Sequence, residues 1–459
     1  MTIEVLVADD SAYLRKNIAD ILKDHESINI VDFAKNGKEA VDLVKKHSPD
    51  VLILDLVMPE MNGIDSLKLI MEEHPVPTVI LSAINPKNLD SSIQALLMGA
   101  FDYIIKPGGI GAKDLPRFRE ELLAKVLLAS QSQIKKIFRN EEKFSSKSTS
   151  LRQEIVNQIF DFGQYLNKLQ PIQEVEEERE FDSFETMKVK AVLKAEFDNK
   201  VGQKLSEDIE AKSAIGVPTS EKLEKSISSP KMVPTKKQNI KTSSYLQKPA
   251  TISQYNIHDL TIVKGTILNS NIIVMGASVG GPRTITTILK ELPRSFPAPI
   301  LLVQHLSSHF TDAFADNLNL ECDMQIKVAN NREYLQNGIV YIAPGEHHME
   351  LSVENKKPFI KIYKGKPVNF CMPSIDVLFF SAAKIYGYRT LGVLLTGMGS
   401  DGVNGLGAIQ KLGGKTIAES EETCILYAMP KFAKENGFAD LILPNYSIAQ
   451  NIIEFVNKK

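Results

Sequence analysis

The stretch Val51-Leu52-Ile53-Leu54-Asp55 decides the fold of the first part of this chain, because four consecutive apolar residues end at one carboxylate. A run that is apolar on both faces is typical of a strand inside a parallel sheet, which helices cover on both sides. Similar apolar runs recur before and after it. The strands predicted from these runs cover residues 3–8, 28–34, 51–56, 78–82 and 102–105.

Helical patterns fill the gaps between these strands. Residues 13–24, 37–46 and 66–73 carry apolar side chains at the spacing of one helix face. Right-handed crossovers through such helices place the strands parallel in one sheet. We therefore predict an α/β fold for residues 1–125, a doubly wound, flavodoxin-like sheet of five parallel strands.

The middle of the chain changes character after two further amphipathic patterns at residues 115–138 and 151–169. An acidic run at residues 174–180 leads into Lys-, Ser- and Pro-rich sequence whose apolar residues are too sparse to bury a core. We predict a linker over residues 126–265, helical at first and then largely disordered. The alternation of strands and helices resumes in residues 266–459, which we predict to form a second doubly wound α/β domain. Its predicted strands cover residues 272–275, 300–303, 340–342, 391–395 and 415–418.

Composition narrows the possible functions. The 459 residues carry a formal net charge of −2, without the basic surplus expected of a nucleic-acid-binding surface. The 3 cysteines lack CxxC spacing, so we interpret them as ordinary thiols rather than as a disulfide framework or a zinc site. The N-terminus lacks a secretory leader pattern, and no apolar run reaches about 18 residues. We expect a cytoplasmic monomer without membrane insertion and without a nucleic-acid partner.

A first candidate site lies where the strands of the N-terminal sheet end. Asp9, Asp10, Asp55, Ser82 and Lys106 all follow or close predicted strands, and the carboxyl ends of parallel strands form one ligand crevice. Three carboxylates there would hold a hard octahedral cation such as Mg²⁺. Asp55 could then act as a nucleophile toward a phosphoryl group, with Lys106 as a point charge on the opposite side. Each Asp taken singly could be a cap or turn residue, but five such positions in strand order favour a site.

Residues 1–125 resemble the receiver domain of response regulators. The resemblance is carried by VADDS at 7–11, LDLVMPEMNG at 54–63, LSA at 81–83 and GAFDYIIKP at 99–107. It implies phosphoryl transfer to Asp55 from a histidine kinase of the chemotaxis type. The metal ligands it implies are Asp9 or Asp10, Asp55 and the backbone carbonyl of Val57. The switch residues it implies are Ser82 and Tyr103 together with Lys106, and it also implies a cis bond at Lys106-Pro107.

A second candidate site begins with Gly276-Ala277-Ser278-Val279-Gly280, which fits the pattern G-x-S-x-G between a strand and a helix. The alternatives are a structural turn and a glycine-rich phosphate loop, although the run fits neither G-x-G-x-x-G nor G-x-x-x-x-G-K-S/T. His305 ends the next predicted strand, and Asp401 lies in a loop with three glycines. We hypothesise that His305 removes the Ser278 proton, that Asp401 orients the imidazole, and that backbone N–H groups bind the oxyanion.

Residues 271–456 resemble the catalytic domain of the chemotaxis protein-glutamate methylesterases, the CheB family of response regulators. The matching stretches are MGASVGGP at 275–282, VQH at 303–305, YIAPG at 341–345, PSIDVLF at 373–379, LTGMGSDGV at 395–403 and AMP at 428–430. The resemblance implies a Ser278, His305 and Asp401 triad, with the backbone N–H of Met398 as an oxyanion donor and no cofactor in the esterase site. It implies hydrolysis of γ-glutamyl methyl esters on chemoreceptor cytoplasmic helices in chemotaxis adaptation, and deamidation of receptor glutamines as a further activity.

Two departures from this family keep other interpretations open. Val279 stands where the family usually has threonine, and the linker is longer than the usual hinge. A catalytically silent binding module and a hydrolase of a small-molecule ester are the alternatives. Our main hypothesis is that phosphorylation of Asp55 relieves a blockage of the Ser278 site by the receiver domain.

Overall fold

A computed structural model of the chain describes residues 2–82, 86–107, 115–138 and 270–457. The predicted helix at 151–169 and most of the predicted linker lie outside these described residues. The boundaries at residues 125 and 265 therefore stay predictions. None of the helices in the described ranges is long and apolar enough to cross a membrane.

The N-terminal domain contains five parallel strands in the order β2-β1-β3-β4-β5. The strands are β1 (Ile3–Ala8), β2 (Ile28–Ala34), β3 (Val51–Asp55), β4 (Thr78–Ser82) and β5 (Asp102–Ile105). The helices are α1 (Ala12–Lys23), α2 (Gly37–His47), α3 (Gly63–Glu73), α4 (Pro86–Leu97) and α5 (Leu115–Ala129). This order reverses direction at β1, so the carboxyl ends of β1 and β3 flank the expected ligand crevice. The predicted fold class of this domain is confirmed.

The C-terminal domain is built on a seven-stranded parallel sheet in the order β15-β14-β13-β6-β7-β10-β8. These strands are β6 (Ile272–Ala277), β7 (Ile300–Gln304), β8 (Gln325–Val328), β10 (Ile339–Ile342), β13 (Thr390–Leu394), β14 (Lys415–Glu419) and β15 (Leu441–Leu443). The helices are α6 (Gly281–Leu289), α7 (Ser308–Glu321), α8 (Ile375–Tyr386), α9 (Val403–Lys411), α10 (Met429–Glu435) and α11 (Asn445–Asn457). Because β13, β6 and β7 are neighbours, the segments that follow them meet at one edge of the sheet.

A small antiparallel sheet of three strands was not predicted. It contains β9 (Glu333–Tyr334), β11 (His348–Glu354) and β12 (Lys357–Tyr363) in the order β11-β12-β9. The hairpin between β11 and β12 turns at Asn355 and Lys356, which both have positive φ, 50° and 63°. Tight hairpins usually signal such a turn with glycine. A lysine at this position gives no such signal, which is why the pattern was missed.

Two further expectations need correction. The helix predicted over residues 115–138 is interrupted: α5 ends at Ala129, and a short helix over 134–138 follows. At the interruption the N–H of Gln133 donates to the carbonyl of Ile425 in the C-terminal domain, 3.1 Å away. This N–H therefore makes a tertiary hydrogen bond and not the bond that would continue the helix. The cis bond expected at Lys106-Pro107 is absent, and the cis peptide bond found in the described residues is Met372-Pro373.

Candidate active site and phosphoacceptor site

The predicted acidic cluster forms at the carboxyl ends of β1 and β3. Asp9 and Asp55 are buried and Asp10 is exposed, and one carboxylate oxygen from each lies within 4.8 Å of the others. Lys106 Nζ lies 3.0 Å from Asp9 and 2.7 Å from Asp55. Burial raises the pKa of Asp55 to about 6, the negative charge of Asp9 adds to this rise, and Lys106 opposes it. Carboxylates crowded in this way, with one lysine beside them, fit a hard divalent cation.

The other predicted receiver residues lie around this cluster. The N–H of Val57 donates to Asp55 Oδ1 at 3.2 Å, and the Val57 side chain is exposed. Ser82 ends β4 with its side chain buried, and Ser92 Oγ donates to its hydroxyl at 2.8 Å. Lys106 directly follows β5. Sequence reasoning thus placed all these residues at the same sheet edge, as the structure does.

Tyr103 on β5 contacts the C-terminal domain. Its hydroxyl lies 3.5 Å from Ser307 Oγ and 3.4 Å from the backbone N of Ser307, which donates to it. Its ring packs against Phe310 with centroids 4.1 Å apart. Burial raises the pKa of Tyr103, while the contacts with Ser307 lower it. The predicted switch tyrosine therefore meets the start of α7, two residues after His305.

The N-terminal domain also forms part of the wall around Ser278. One small pocket is lined by Leu96, Phe101, Asp102, Ser278, Val279, Gly280, Pro282, Gln304, His305 and Leu306. Next to it, the Arg283 guanidinium lies 4.6 Å from the centroid of the Phe138 ring. The same ring covers Gly99, where an added Cβ would collide with it. Access to Ser278 from this side is closed by the N-terminal domain and the short helix that follows it.

The turn that carries Ser278 is held by its neighbours on the sheet edge. The N–H of Ser278 donates to the Thr396 carbonyl at 3.0 Å, and its own carbonyl accepts from Gln304 Nε2 at 2.8 Å. Gly280 has φ of +77°, a conformation that favours glycine, and it precedes α6. A Cβ at Gly281 would collide with the Gln304 side chain. The predicted G-x-S-x-G turn thus needs its last glycine for backbone conformation and the following glycine for close packing.

His305 and Asp401 form the predicted pair. His305 Nε2 lies 3.0 Å from Asp401 Oδ2, and Asp401 is 2% exposed. Asp401 also accepts hydrogen bonds at the N-terminus of α8, from Ile375 N at 2.7 Å and from Ser374 Oγ at 2.7 Å. Burial alone would raise the pKa of Asp401, but His305 and the other donors outweigh it and lower the pKa. Asp401 is therefore held as a carboxylate that can bind a protonated imidazole.

Ser278 and His305 share a pocket without being bonded. Among the described residues, no hydrogen bond joins Ser278 Oγ to His305, whose Nδ1 faces Cys371 instead. Met398 lies in the loop after β13, between Gly397 and Gly399, and Gly399 has φ of +85°. The N–H of Met398 makes no hydrogen bond to other residues in the described ranges. Hydrogen bonds between catalytic groups are often long or absent in unliganded sites and form when substrate binds.

Comparison with known proteins identifies the family. Residues 273–452 match the family model of CheB methylesterase, and residues 5–113 match that of the response regulator receiver domain. A relative from Thermotoga maritima, named protein-glutamate methylesterase/protein-glutamine glutaminase, is 30% identical over 99% of this chain and 98% of its own length. The chain belongs to this family. A relative of the same name from Archaeoglobus fulgidus is 31% identical over 99% of this chain and 98% of its own length.

Solved structures of this methylesterase family include the catalytic domain of the Thermotoga maritima CheB methylesterase. The matched region is 41% identical in sequence and spans 41% of this chain and 100% of the chain in that structure, with a TM-score of 0.41. The two family models and the full-length relatives confirm, at the level of the family, the resemblance stated from the sequence motifs for both domains.

Sequence reasoning missed residues that surround the predicted triad. Cys371, interpreted above as an ordinary thiol, lies with Sγ 3.8 Å from His305 Nδ1. Burial lowers the pKa of His305, but Cys371 and Asp401 raise it to about 10. No spacing signal pointed to Cys371, because it reaches His305 through a turn remote in sequence.

A second buried carboxyl lies behind Asp401. Asn369 Nδ2 donates to Asp401 Oδ1 at 2.9 Å and to Asp376 Oδ2 at 2.7 Å. Burial, with a smaller effect of the Asp401 charge, raises the pKa of Asp376 to about 8. Asp376 lies in the first turn of α8, within the PSIDVLF stretch that carries the family resemblance, and the sequence analysis assigned it no role.

Glu419 is the other buried acid near the site. It is fully buried at the end of β14, and its Oε2 accepts from the N–H of Thr396 at 2.8 Å. Thr284 and Thr423 donate to its Oε1 at 3.3 Å and 2.8 Å. Since Thr396 in turn accepts from Ser278, Glu419 supports both the serine turn and the start of the Met398 loop.

Proposed function

We propose that this chain is a phosphorylation-activated serine esterase that hydrolyses γ-glutamyl methyl esters on chemoreceptor cytoplasmic helices in chemotaxis adaptation. Deamidation of receptor glutamines is a second reaction of the same site. The observation that carries the proposal is the His305–Asp401 pair, held on the N-terminus of α8 at the same sheet edge as Ser278. Family membership supports the choice of substrate.

The chemistry follows from the orientation of the imidazole. In the neutral form of His305, Nε2–H donates to Asp401, so Nδ1 carries the lone pair and acts as the base for Ser278. Because the pKa of His305 is raised, this form is favoured as the pH increases. Serine Oγ attacks the ester carbonyl, the oxyanion is bound by the N–H of Met398, and the imidazolium returns the proton to departing methoxide. Water then hydrolyses the acyl-enzyme by the same steps, releasing glutamate. With a glutamine substrate the leaving group is ammonia, which needs the same proton.

Asp55 is the proposed phosphoacceptor, and a histidine kinase of the chemotaxis type is the proposed donor. Asp9 or Asp10, Asp55 and the carbonyl of Val57 would hold Mg²⁺, which fits the crowding of carboxylates at this edge. Bound Mg²⁺ would neutralise charge on the transferring phosphoryl oxygens. Lys106 contacts both buried carboxylates and would pair with the new phosphoryl group.

Coupling between the two sites is proposed to act through the covered pocket. Leu96 and Phe101 line the Ser278 pocket, and Tyr103 packs against Phe310 of the C-terminal domain. We expect phosphorylation of Asp55 to reposition Ser82 and Tyr103 and to weaken this packing, so that a receptor helix reaches Ser278. A substrate on receptor cytoplasmic helices places the enzyme in the cytoplasm, where it acts as a monomer.

The test is methanol release from methylated receptor membranes by the purified full-length protein, with and without Mg²⁺ and a small phosphodonor. We expect release that the phosphodonor stimulates, that loses its stimulation in Asp55→Asn, and that is lost in Ser278→Ala. Release that persists in Ser278→Ala would contradict the serine mechanism. No release under any condition would favour the silent binding module, and equal turnover of simple esters would favour a small-molecule esterase.

A further inference from the structure

Cys371 lies beside the predicted catalytic histidine on the side opposite Asp401. Its Sγ is 3.8 Å from His305 Nδ1, while Asp401 Oδ2 is 3.0 Å from His305 Nε2. The sulfur, one imidazole nitrogen and one carboxylate oxygen all lie within 4.8 Å of one another. Cys371 is a free, half-buried thiol. A thiol and an imidazole nitrogen therefore face each other at the edge of the Ser278 pocket.

The imidazole is presented in the way that metal-binding histidines are. A carboxylate that accepts the N–H of one ring nitrogen fixes the tautomer and leaves the other nitrogen with a free lone pair, the carboxylate–histidine–zinc arrangement. Here Asp401 holds Nε2, and Nδ1 points toward Cys371. Asp401 is itself fixed by Ser374 and the start of α8, so the ring cannot turn without losing its bond to Asp401.

The spacing of the two ligand atoms fits zinc. With Zn–S of about 2.3 Å and Zn–N of about 2.0 Å, a tetrahedral angle separates sulfur and nitrogen by roughly 3.5 Å. The observed separation is 3.8 Å. A change of about 0.3 Å, or a wider angle at the metal, would seat the ion. A thiolate and an imidazole are also the donors that Zn²⁺ prefers over oxygen-only sites.

The thiol is held in place by a tight turn. Val368 and Cys371 exchange two backbone hydrogen bonds, at 3.0 Å and 2.9 Å. The two residues between them, Asn369 and Phe370, both have positive φ, 51° and 65°. The Asn369 side chain is anchored on Asp376 and Asp401. Cys371 is thus pre-positioned, which lowers the entropy lost when a metal binds.

We propose that Cys371 and His305 form an inhibitory site for Zn²⁺, with Asp401 behind the histidine and water or Ser278 Oγ in the remaining positions. Binding releases the thiol proton and, from the protonated imidazole, the Nδ1 proton to solvent, and the metal then uses the Nδ1 lone pair. The same lone pair is needed to remove the Ser278 proton, so the metal-bound form is inactive. The inhibitory effect rests on the proposed esterase function, whereas the binding itself does not.

The binding test uses Co²⁺ as an optical probe on metal-free full-length protein. We expect a near-ultraviolet thiolate-to-cobalt charge-transfer band that Zn²⁺ removes by competition. The band should be lost in Cys371→Ser and retained in the matched control Cys322→Ser, which changes another half-buried thiol. A wild-type protein without this band, or a band that survives in Cys371→Ser, would overturn the site.

The activity test measures methanol release with saturating Mg²⁺ and increasing Zn²⁺. Zinc should inhibit the wild type, a chelator should reverse the inhibition, and Cys371→Ser should need at least about tenfold more zinc, since even outer-shell substitutions cost about that much affinity. Equal sensitivity of wild type and Cys371→Ser would refute the inhibitory role. If metal-free protein releases no methanol, the proposed esterase function fails, and the cobalt band still decides the metal site.

Discussion

Replacing Phe138 with alanine should activate the unphosphorylated protein. The Phe138 ring is half-buried between Gly99 of the N-terminal domain and the Arg283 guanidinium of the C-terminal domain, 4.6 Å from the ring centroid. A cation–π contact of this kind contributes about 0.5–2 kcal/mol, and the buried ring area adds roughly 1 kcal/mol. Because part of that area lies within the N-terminal domain, we assign about 1.5 kcal/mol to the contact between the domains.

This energy sets the expected size of the effect. A loss of about 1.5 kcal/mol shifts the ratio of open to covered protein about tenfold, since about 1.4 kcal/mol corresponds to a factor of ten. If the covered form dominates without phosphorylation, methanol release from methylated receptors should rise about tenfold in Phe138→Ala. The ceiling is the rate of phosphorylated wild type. The stimulation by a phosphodonor should shrink by the same factor.

A matched variant separates this effect from general loosening. Phe33 is another partly exposed phenylalanine of the same domain, but it lies on β2, at the sheet edge opposite β5. Phe33→Ala should leave basal methanol release at the wild-type level. The reasoning is refuted if Phe138→Ala is no faster than wild type while it remains folded and is still activated by the phosphodonor.

Three further predictions concern the triad and its support. Ser374→Ala removes a 2.7 Å hydrogen bond to Asp401 and should lower kcat about tenfold with little change in KM. The control Ser381→Ala, in the same helix, should leave kcat at the wild-type level. Burial raises the pKa of Asp376 to about 8 in the folded state, from 3.8 for an ordinary aspartate. The stability that its proton contributes is therefore complete below about pH 4 and is lost at up to about 1.4 kcal/mol per pH unit as the pH rises toward 8. Urea unfolding of Asp376→Asn should show a flatter dependence over this window; an unchanged slope would contradict the assignment. Glu419→Ala frees the N–H of Thr396 and should lower kcat, and Glu419→Gln, which keeps an acceptor, should restore most of it.

The central strands of the parallel sheets could be predicted from sequence because they are buried on both faces, whereas the partly exposed edge strands β8 and β15 of the C-terminal sheet were not predicted. β1 was predicted with its observed bounds, and β6 and β7 to within two residues at their ends. The antiparallel sheet could not be predicted in this way, because β11 and β12 are only partly buried and their turn uses Lys356 at positive φ. Hydrophobic pattern thus reports burial, and strands with little burial leave little pattern.

The positions of the functional residues followed from the same strand ends. Ser278, His305 and Asp401 come after β6, β7 and β13, which are neighbours in the sheet, so their convergence could be predicted without coordinates. The position of Cys371 could not. It depends on a turn in which Asn369 and Phe370 both take positive φ, and a phenylalanine in that conformation gives no sequence signal.

The two sites are coupled over a short physical distance. Lys106 contacts Asp55 at 2.7 Å and directly follows β5, the strand that carries Tyr103. Tyr103 in turn contacts Ser307, and a single residue separates Ser307 from His305. Each step is therefore a direct contact or a short stretch of one strand or loop. Since coupling free energies of about 1–3 kcal/mol account for typical allosteric effects, the roughly 1.5 kcal/mol assigned to the Phe138 contact is of the size expected for coupling between the two predicted sites.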